Sequence, residues 1–277
     1  MNVGGIVRMD QIESADLERR FGGLRRLYGD AAYDRLRAAR VAVVGLGGVG
    51  SWTVEALARS GVAELVLFDL DHVAESNVNR QIQALTATLG QAKALALADR
   101  VAGIHPGCRV HAVEEFVEPG NWPDLLPVPV DLLIDACDQV RAKLALAQWA
   151  LGAGVPIVTV GAAGGKREAQ RVAVDDLAAV THDPLLASLR QRLRKSGAAP
   201  RQGAIGLRCV FSREPVQRPL QEACVAGAPE SALACAGYGS AVTVTATFGM
   251  VAAGEAITRL TQNPQAATRF PRSKAPL

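Results

Sequence analysis

The stretch from Val41 to Asp71 constrains this chain more than any other. Val41-Ala42-Val43-Val44 is apolar, rich in β-branched residues and too short for a helix, so it reads as a buried strand. Gly45, Gly47, Gly48 and Gly50 follow at once, and a helical pattern then runs from Ser51 to Ser60 and stops at Gly61. A second apolar run, Glu64 to Phe68, ends on Asp69-Leu70-Asp71. Strand, glycine turn, helix, strand and terminal acid predict one βαβ unit that binds a nucleotide.

The chemistry follows from the order of the parts. Glycines let the backbone turn sharply without a Cβ, so N–H groups at the helix start can approach phosphate oxygens. The helix dipole adds positive potential at the same place. Asp69 falls about 20 residues on, at the carboxyl end of the second strand, where an acid accepts hydrogen bonds from ribose hydroxyls.

Further short strands are expected at Arg109 to Val113, Val130 to Ile134 and Pro156 to Gly161, the last running into a second glycine patch at Gly164-Gly165. They alternate with helices at Gln91 to Val101 and Gln139 to Leu151, which predicts an α/β fold: a Rossmann-like, mostly parallel sheet flanked by helices. From Gln170 the texture changes. A strand over Arg171 to Val174, a helix over Pro184 to Lys195, a strand over Gly206 to Ser212 and a long apolar helix over Ala241 to Leu260 form a C-terminal α/β extension. In the Pro184 helix Leu185, Leu186, Leu189 and Leu193 make one stripe, with Arg190, Arg192, Arg194 and Lys195 largely outside it. Two helical segments, Leu17 to Tyr28 and on to Arg40, precede the glycine unit.

Four polar groups recur at strand ends or in adjoining loops. Arg80 follows the second strand, Lys93 lies near the start of the next helix, and Asp135 and Asp138 follow the fourth strand. Two cations facing a glycine turn neutralise a triphosphate, and a nearby carboxylate can hold Mg²⁺ between its oxygens. A nicotinamide-dependent oxidoreductase needs no such cluster. Taken singly, Arg80 and Lys93 also read as solvated surface residues and Asp138 as a helix cap.

The 277 residues carry a net charge of +3, too small to indicate a partner. The distribution says more: between Pro184 and Arg218 eight basic residues face one acid, Glu214. Five scattered cysteines with no CxxC pair fit a reducing, cytoplasmic compartment and argue against a four-cysteine zinc clip. The N-terminus lacks the apolar core of a signal peptide, and the apolar stretch Ser240 to Ile257, interrupted by Glu255, is expected to pack on the sheet rather than span a membrane.

GLGGVGS (Gly45 to Ser51), FDLD (Phe68 to Asp71), SNVNRQ (Ser76 to Gln81), GQAK (Gly90 to Lys93) and DACD (Asp135 to Asp138) together resemble the adenylating domain of ubiquitin-activating-like enzymes, the ThiF/MoeB/HesA group. That resemblance implies ATP and Mg²⁺. It places Gly45, Gly47, Gly48 and Gly50 in the phosphate turn, Asp69 and Asp71 at the ribose, and Asn77 and Gln81 along the site. Arg80 and Lys93 would hold phosphates, Asp138 would bind Mg²⁺, and these three are the implied catalytic residues. In the group a carboxylate attacks the α-phosphate of ATP to give an acyl-adenylate and pyrophosphate.

Arg19 to Gly29, Val160 to Gly165, Asp183 to Lys195, Cys209 to Pro215 and Ala234 to Gly249 resemble one branch, the tRNA threonylcarbamoyladenosine dehydratases. The branch implies adenylation of the carboxyl of N6-threonylcarbamoyladenosine beside the tRNA anticodon, then closure to the cyclic form. The alternative is activation of a ubiquitin-like sulfur-carrier C-terminus. Enzymes of that kind usually carry paired zinc cysteines and an N-terminal arginine that reaches the partner subunit's ATP. Here Arg20-Phe21-Gly22-Gly23 puts glycine at the equivalent place, with Arg25 or Arg26 as substitutes. A homodimer, a tRNA partner met by the basic Pro184 to Arg218 region, and a cysteine-desulfurase or sulfur-acceptor partner are further implications. Cys235 reads as a core cysteine rather than a reactive one. The expected organisation is an arm over 1–18, an ATP-binding domain over 19–175, an extension of that domain over 176–262 and a basic tail over 263–277.

Overall fold

The structure, a computed structural model, describes residues 15–217 and 238–262. Most of the expected arm, the basic tail, Arg218 and Cys235 lie outside the described residues.

Among the described residues seven strands form one sheet: β1 (Arg40–Val44), β2 (Glu64–Phe68), β3 (Arg109–Val113), β4 (Leu132–Asp135), β5 (Ile157–Val160), β6 (Val172–Asp176) and β7 (Arg208–Ser212). Their order is β3-β2-β1-β4-β5-β7-β6. Every neighbouring pair is parallel except β6 with β7. The central strands β1, β2, β4 and β5 are covered on both faces, which is why their sequences are continuous apolar runs without alternation.

Seven α-helices are described: α1 (Leu17–Tyr28), α2 (Asp30–Ala38), α3 (Gly50–Arg59), α4 (Lys93–Ile104), α5 (Val140–Ala153), α6 (Pro184–Lys195) and α7 (Val242–Thr261). On one face Leu36 of α2, Leu57 of α3, Leu97 of α4 and Phe248 of α7 pack on Val41, Val43, Leu65 and Ile134. On the other, Leu146 of α5 and Leu189 of α6 pack on Ala42, Val66, Leu133 and Phe211. Successive side chains of each strand point to opposite faces, so one apolar run feeds both cores.

The crossovers after β1 and β2 carry the chain outward to β3, and the return to β4 places that strand on the other side of β1. This reversal opens a crevice beyond the carboxyl ends of β1 and β4, where ligands collect in open α/β sheets. The C-terminal extension does not stand apart. Strand β7 inserts between β5 and β6, and α7 packs along α3 so closely that a Cβ on Gly249 would lie 2.6 Å from the Val49 carbonyl oxygen. Thr53 Oγ1 donates to the Gly249 carbonyl there at 3.2 Å. No helix among the described residues is long and apolar enough to cross a membrane.

Candidate active site

The glycine turn is built by exclusion of side chains. Gly45 has φ of +87°, and a Cβ on it would meet the Cys137 backbone at 2.8 Å. A Cβ on Gly50 would sit 1.8 Å from the Gly45 carbonyl oxygen. Gly50 therefore stands behind the turn and lets it close, while Gly45, Gly47 and Gly48 line the cleft. Helix α3 starts with no side-chain cap and no acid in its first turn. No backbone acceptor among the described residues takes the N–H groups of Gly47, Gly48 or Val49. One step into the helix, Ser51 Oγ is buried without a partner. Orphan donors, a positive helix end and the absence of a Cβ make a fitting cradle for phosphate.

Loops from the carboxyl ends of five neighbouring strands enclose a cleft of about 290 Å³ around this turn. Asp69, Asp71, Asn77, Arg80, Gln81, Lys93 and Asp138 all line it. The Asp69 carboxylate accepts the Leu46 N–H at 2.7 Å and the Asp71 N–H at 2.9 Å. Two amide donors fix its orientation and leave lone pairs free for hydroxyl groups. Burial pushes the Asp69 carboxyl above the ordinary carboxylate range, against the opposing pull of Lys93 and of those N–H groups. Lys93, the first residue of α4, is buried; its ammonium donates to Asp71 Oδ2 at 2.7 Å and lies 4.0 Å from Asp69 Oδ1.

Arg80 is placed through its backbone as well as its side chain. Trp52 Nε1 of α3 donates to its carbonyl at 2.9 Å, and its guanidinium donates to the Ser76 carbonyl at 2.6 Å and to Asn79 Oδ1 at 2.9 Å. Asn77 Oδ1 accepts the Ala74 N–H at 3.1 Å, and Gln81 Oε1 accepts from Gln83 at 3.1 Å, so both hold the loop that carries Arg80.

Asp135 is a correction. It is not a free acid after the fourth strand but the last residue of β4, fully buried, with Lys143 of α5 3.0 Å away. Burial opposes the Lys143 charge, yet the Asp135 carboxylate holds its pKa above the ordinary lysine value. Asp138, three residues on, is exposed and faces the cleft. Leu185 is a second correction: it turns to the cleft rather than joining the buried stripe of Leu186, Leu189 and Leu193.

Several expected basic residues are already committed. Arg190 donates to the carbonyls of Leu177 and Val180, Arg208 pairs with Glu255 at 3.0 Å and Arg213 with Asp175 at 3.8 Å. Among the described residues Arg192, Arg194, Lys195 and Arg201 pair with no acid. At the N-terminus Arg20 donates to the Ile104 carbonyl at 2.6 Å, and Arg25 pairs with Glu18, Asp30 and Asp34.

Sequence reasoning missed Lys143, Thr245, and Glu115 to Val117. Thr245 lines the cleft from α7, and its Cγ2 lies 3.1 Å from where a Cβ of Gly48 would stand. Glu115 to Val117 line it from the loop after β3. No local pattern in the sequence marks these placements. Thr245 lies about 200 residues from Gly48, and only the packing of α7 on α3 joins them.

Among the described residues no three His, Cys, Asp or Glu side chains gather into a metal cage. The exposed Asp138 fits the other mode, in which a hard cation is shared between one or two carboxylates and substrate phosphates. Cys137 also lines the cleft, but burial and the neighbouring Asp135 push its thiol well above the ordinary value of 9.0, so it stays protonated.

A switch-point cleft with an open glycine cradle, the cations of Arg80 and Lys93 and the carboxylate of Asp138, unpaired among the described residues, is the geometry of a nucleotide-binding protein. The sequence model of the ThiF family matches residues 21–275, and the chain belongs to that family. tRNA threonylcarbamoyladenosine dehydratase of Escherichia coli (strain K12) is 41% identical over 260 residues, covering 91% of this chain and 97% of its own. A crystal structure of the E. coli tRNA N6-threonylcarbamoyladenosine dehydratase in complex with ATP has a TM-score of 0.80 and 40% identity, covering 92% of this chain and 99% of that one. One in complex with AMP has a TM-score of 0.80 and 39% identity, covering 94% and 100%.

Proposed function

We propose that this chain is an ATP-dependent tRNA threonylcarbamoyladenosine dehydratase. The observation that carries the reading is the cleft itself: a phosphate cradle with unpartnered amides, bordered by Asp69, Arg80, Lys93 and Asp138, in a chain similar along nearly its whole length to enzymes of that name.

The residues divide the work by charge. Gly47, Gly48 and the α3 amides receive phosphate oxygens, Asp69 accepts the ribose hydroxyls, and Arg80 and Lys93 balance the charge on the polyphosphate. Asp138 would hold Mg²⁺, which, when bound, neutralises charge building up on the leaving pyrophosphate. The carboxylate oxygen of the threonylcarbamoyl group attacks the α-phosphorus, the bond from that phosphorus to the bridging oxygen breaks, and pyrophosphate leaves. In the acyl-adenylate so formed, the carbamoyl group attacks the activated carbonyl carbon, AMP departs, and one proton is released as the ring closes. The work is positioning and charge stabilisation, so no cysteine thioester is needed.

The partners follow from this reading. Arg192, Arg194, Lys195 and Arg201 meet tRNA phosphates. The active form is a cytoplasmic homodimer in which Arg26, exposed and unlike Arg25 without an acidic partner among the described residues, serves the partner subunit's cleft. A cysteine desulfurase or sulfur acceptor is an associated protein. The competing sulfur-carrier activation is disfavoured by the absence of paired cysteines from the sequence.

Purified protein should exchange labelled pyrophosphate into ATP only when threonylcarbamoylated tRNA is present. Exchange driven by a sulfur-carrier C-terminus instead would transfer the assignment to the competing activity. Arg80→Ala and Asp138→Ala should each lower the exchange rate about 100-fold or more with the circular-dichroism spectrum unchanged.

A further inference from the structure

Lys143 is a fully buried charge that plays no part in the reaction proposed above. Its ammonium donates to both Asp135 carboxylate oxygens at 3.0 Å and to the Val160 carbonyl at 2.7 Å. Those three bonds match the three donors of an ammonium, and the Asp135 backbone carbonyl lies at a longer 3.4 Å. Both side chains are fully buried.

The place of the pair in the fold matters. Strands β4 and β5 end side by side, with Asp135 in register with Thr159. Beyond that point they part into two turns, 136–139 and 161–164, and both line the cleft. Lys143 spans the parting, one hand on each strand end. On the first turn, Asp135 Oδ1 also accepts the Cys137 N–H at 3.3 Å and its thiol at 3.0 Å. That turn bears on the phosphate cradle, because Gly45 packs on the Cys137 backbone. It also carries Asp138.

Packing alone does not call for charges here, since well-packed apolar residues serve a buried site at least as well. A fully satisfied polar network does something apolar packing does not: it fixes one arrangement of the chains it joins. We propose that Lys143 and Asp135 are a positioning pair for adenylation, holding the Asp138 turn and the second glycine turn at one spacing across the floor of the cleft. The proposal rests on the function proposed above.

The test replaces both charges together, as Asp135→Leu/Lys143→Met, because losing one partner leaves the other buried and unpaired. If that variant does not fold, Asp135→Asn/Lys143→Gln takes its place. Two readouts are taken on the full chain: pyrophosphate exchange with threonylcarbamoylated tRNA, and amide hydrogen exchange without substrate. The expected result is a folded protein whose kcat falls about 100-fold, whose KM for ATP moves less than about threefold, and whose amides at 136–138 and 161–164 exchange faster. A wild-type kcat, or turns protected as in the wild type, overturns the proposal. A wild type that catalyses no exchange sinks the dehydratase reading instead, and the amide data alone then decide whether the pair positions the turns.

Discussion

Gly47 and Gly50 lie three residues apart in one turn and face opposite surroundings. A Cβ on Gly47 meets nothing within 4 Å, whereas one on Gly50 collides with the Gly45 carbonyl oxygen at 1.8 Å. Gly47→Ala should therefore melt like the wild type, within about 0.5 kcal/mol, and any loss should appear only in a calorimetric titration with ATP. Gly50→Ala should lose about 1–3 kcal/mol of stability and its ATP affinity together, because the turn must open to admit the methyl group. The spacing of the glycines is legible in the sequence, but which ones face ligand and which face backbone is not. Asp135 and Asp138 differ in the same way. Both read as acids at a strand end, yet one is the buried partner of Lys143 and the other is free, a distinction made by a helix that begins at Val140.

The element that ties the extension to the cleft is α6, and its start is held by Asp183. That carboxylate accepts the Leu186 N–H at 2.9 Å as an N-cap and the Ala162 N–H at 2.9 Å in the second glycine turn. Asp183→Ala should cost about 1–2 kcal/mol in urea unfolding and also weaken pyrophosphate exchange, since it frees the turn at Ala162. The approach to β7 is organised similarly by Asp176, whose carboxylate accepts the N–H groups of Ala178, Ile205 and Gly206 at 2.7 to 2.9 Å. Burial works against the charge, but these donors outweigh it and hold the Asp176 carboxyl below its ordinary value of 3.8. A lowered folded-state pKa contributes stability that is present above 3.8 and lost as pH falls through the folded value. Asp176→Asn should thus be less stable at neutral pH and lose less stability on acidification below that point, as urea midpoints across the acid range will show. The helix over Pro184 to Lys195 is legible in sequence with its observed limits because proline, cap and apolar stripe all coincide there. Its Arg190 lies outside the apolar stripe, yet it is half-buried and donates to two carbonyls of the preceding segment, partners the sequence does not mark.

At the scale of the whole molecule, the charge that remains free is a surface property. Arg192, Arg194, Lys195 and Arg201 pair with no acid among the described residues and lie on α6 and the loop after it. Reversing Arg192 and Lys195 to Glu should weaken tRNA binding in a filter assay at every salt concentration and reduce the salt slope by about 1 for each phosphate no longer neutralised. ATP affinity should not change. The sequence by itself determined the order of strands and helices, the glycine turn and the polar residues that close on it. Each of these depends on local periodicity, backbone sterics or a short loop at a strand end. The tertiary structure alone decided the insertion of β7 between β5 and β6, the packing of α7 on α3 that brings Thr245 against Gly48, and the ion pair beneath the cleft. Those pairings join residues far apart along the chain, and a buried lysine within a helix carries no local mark of the carboxylate it will meet.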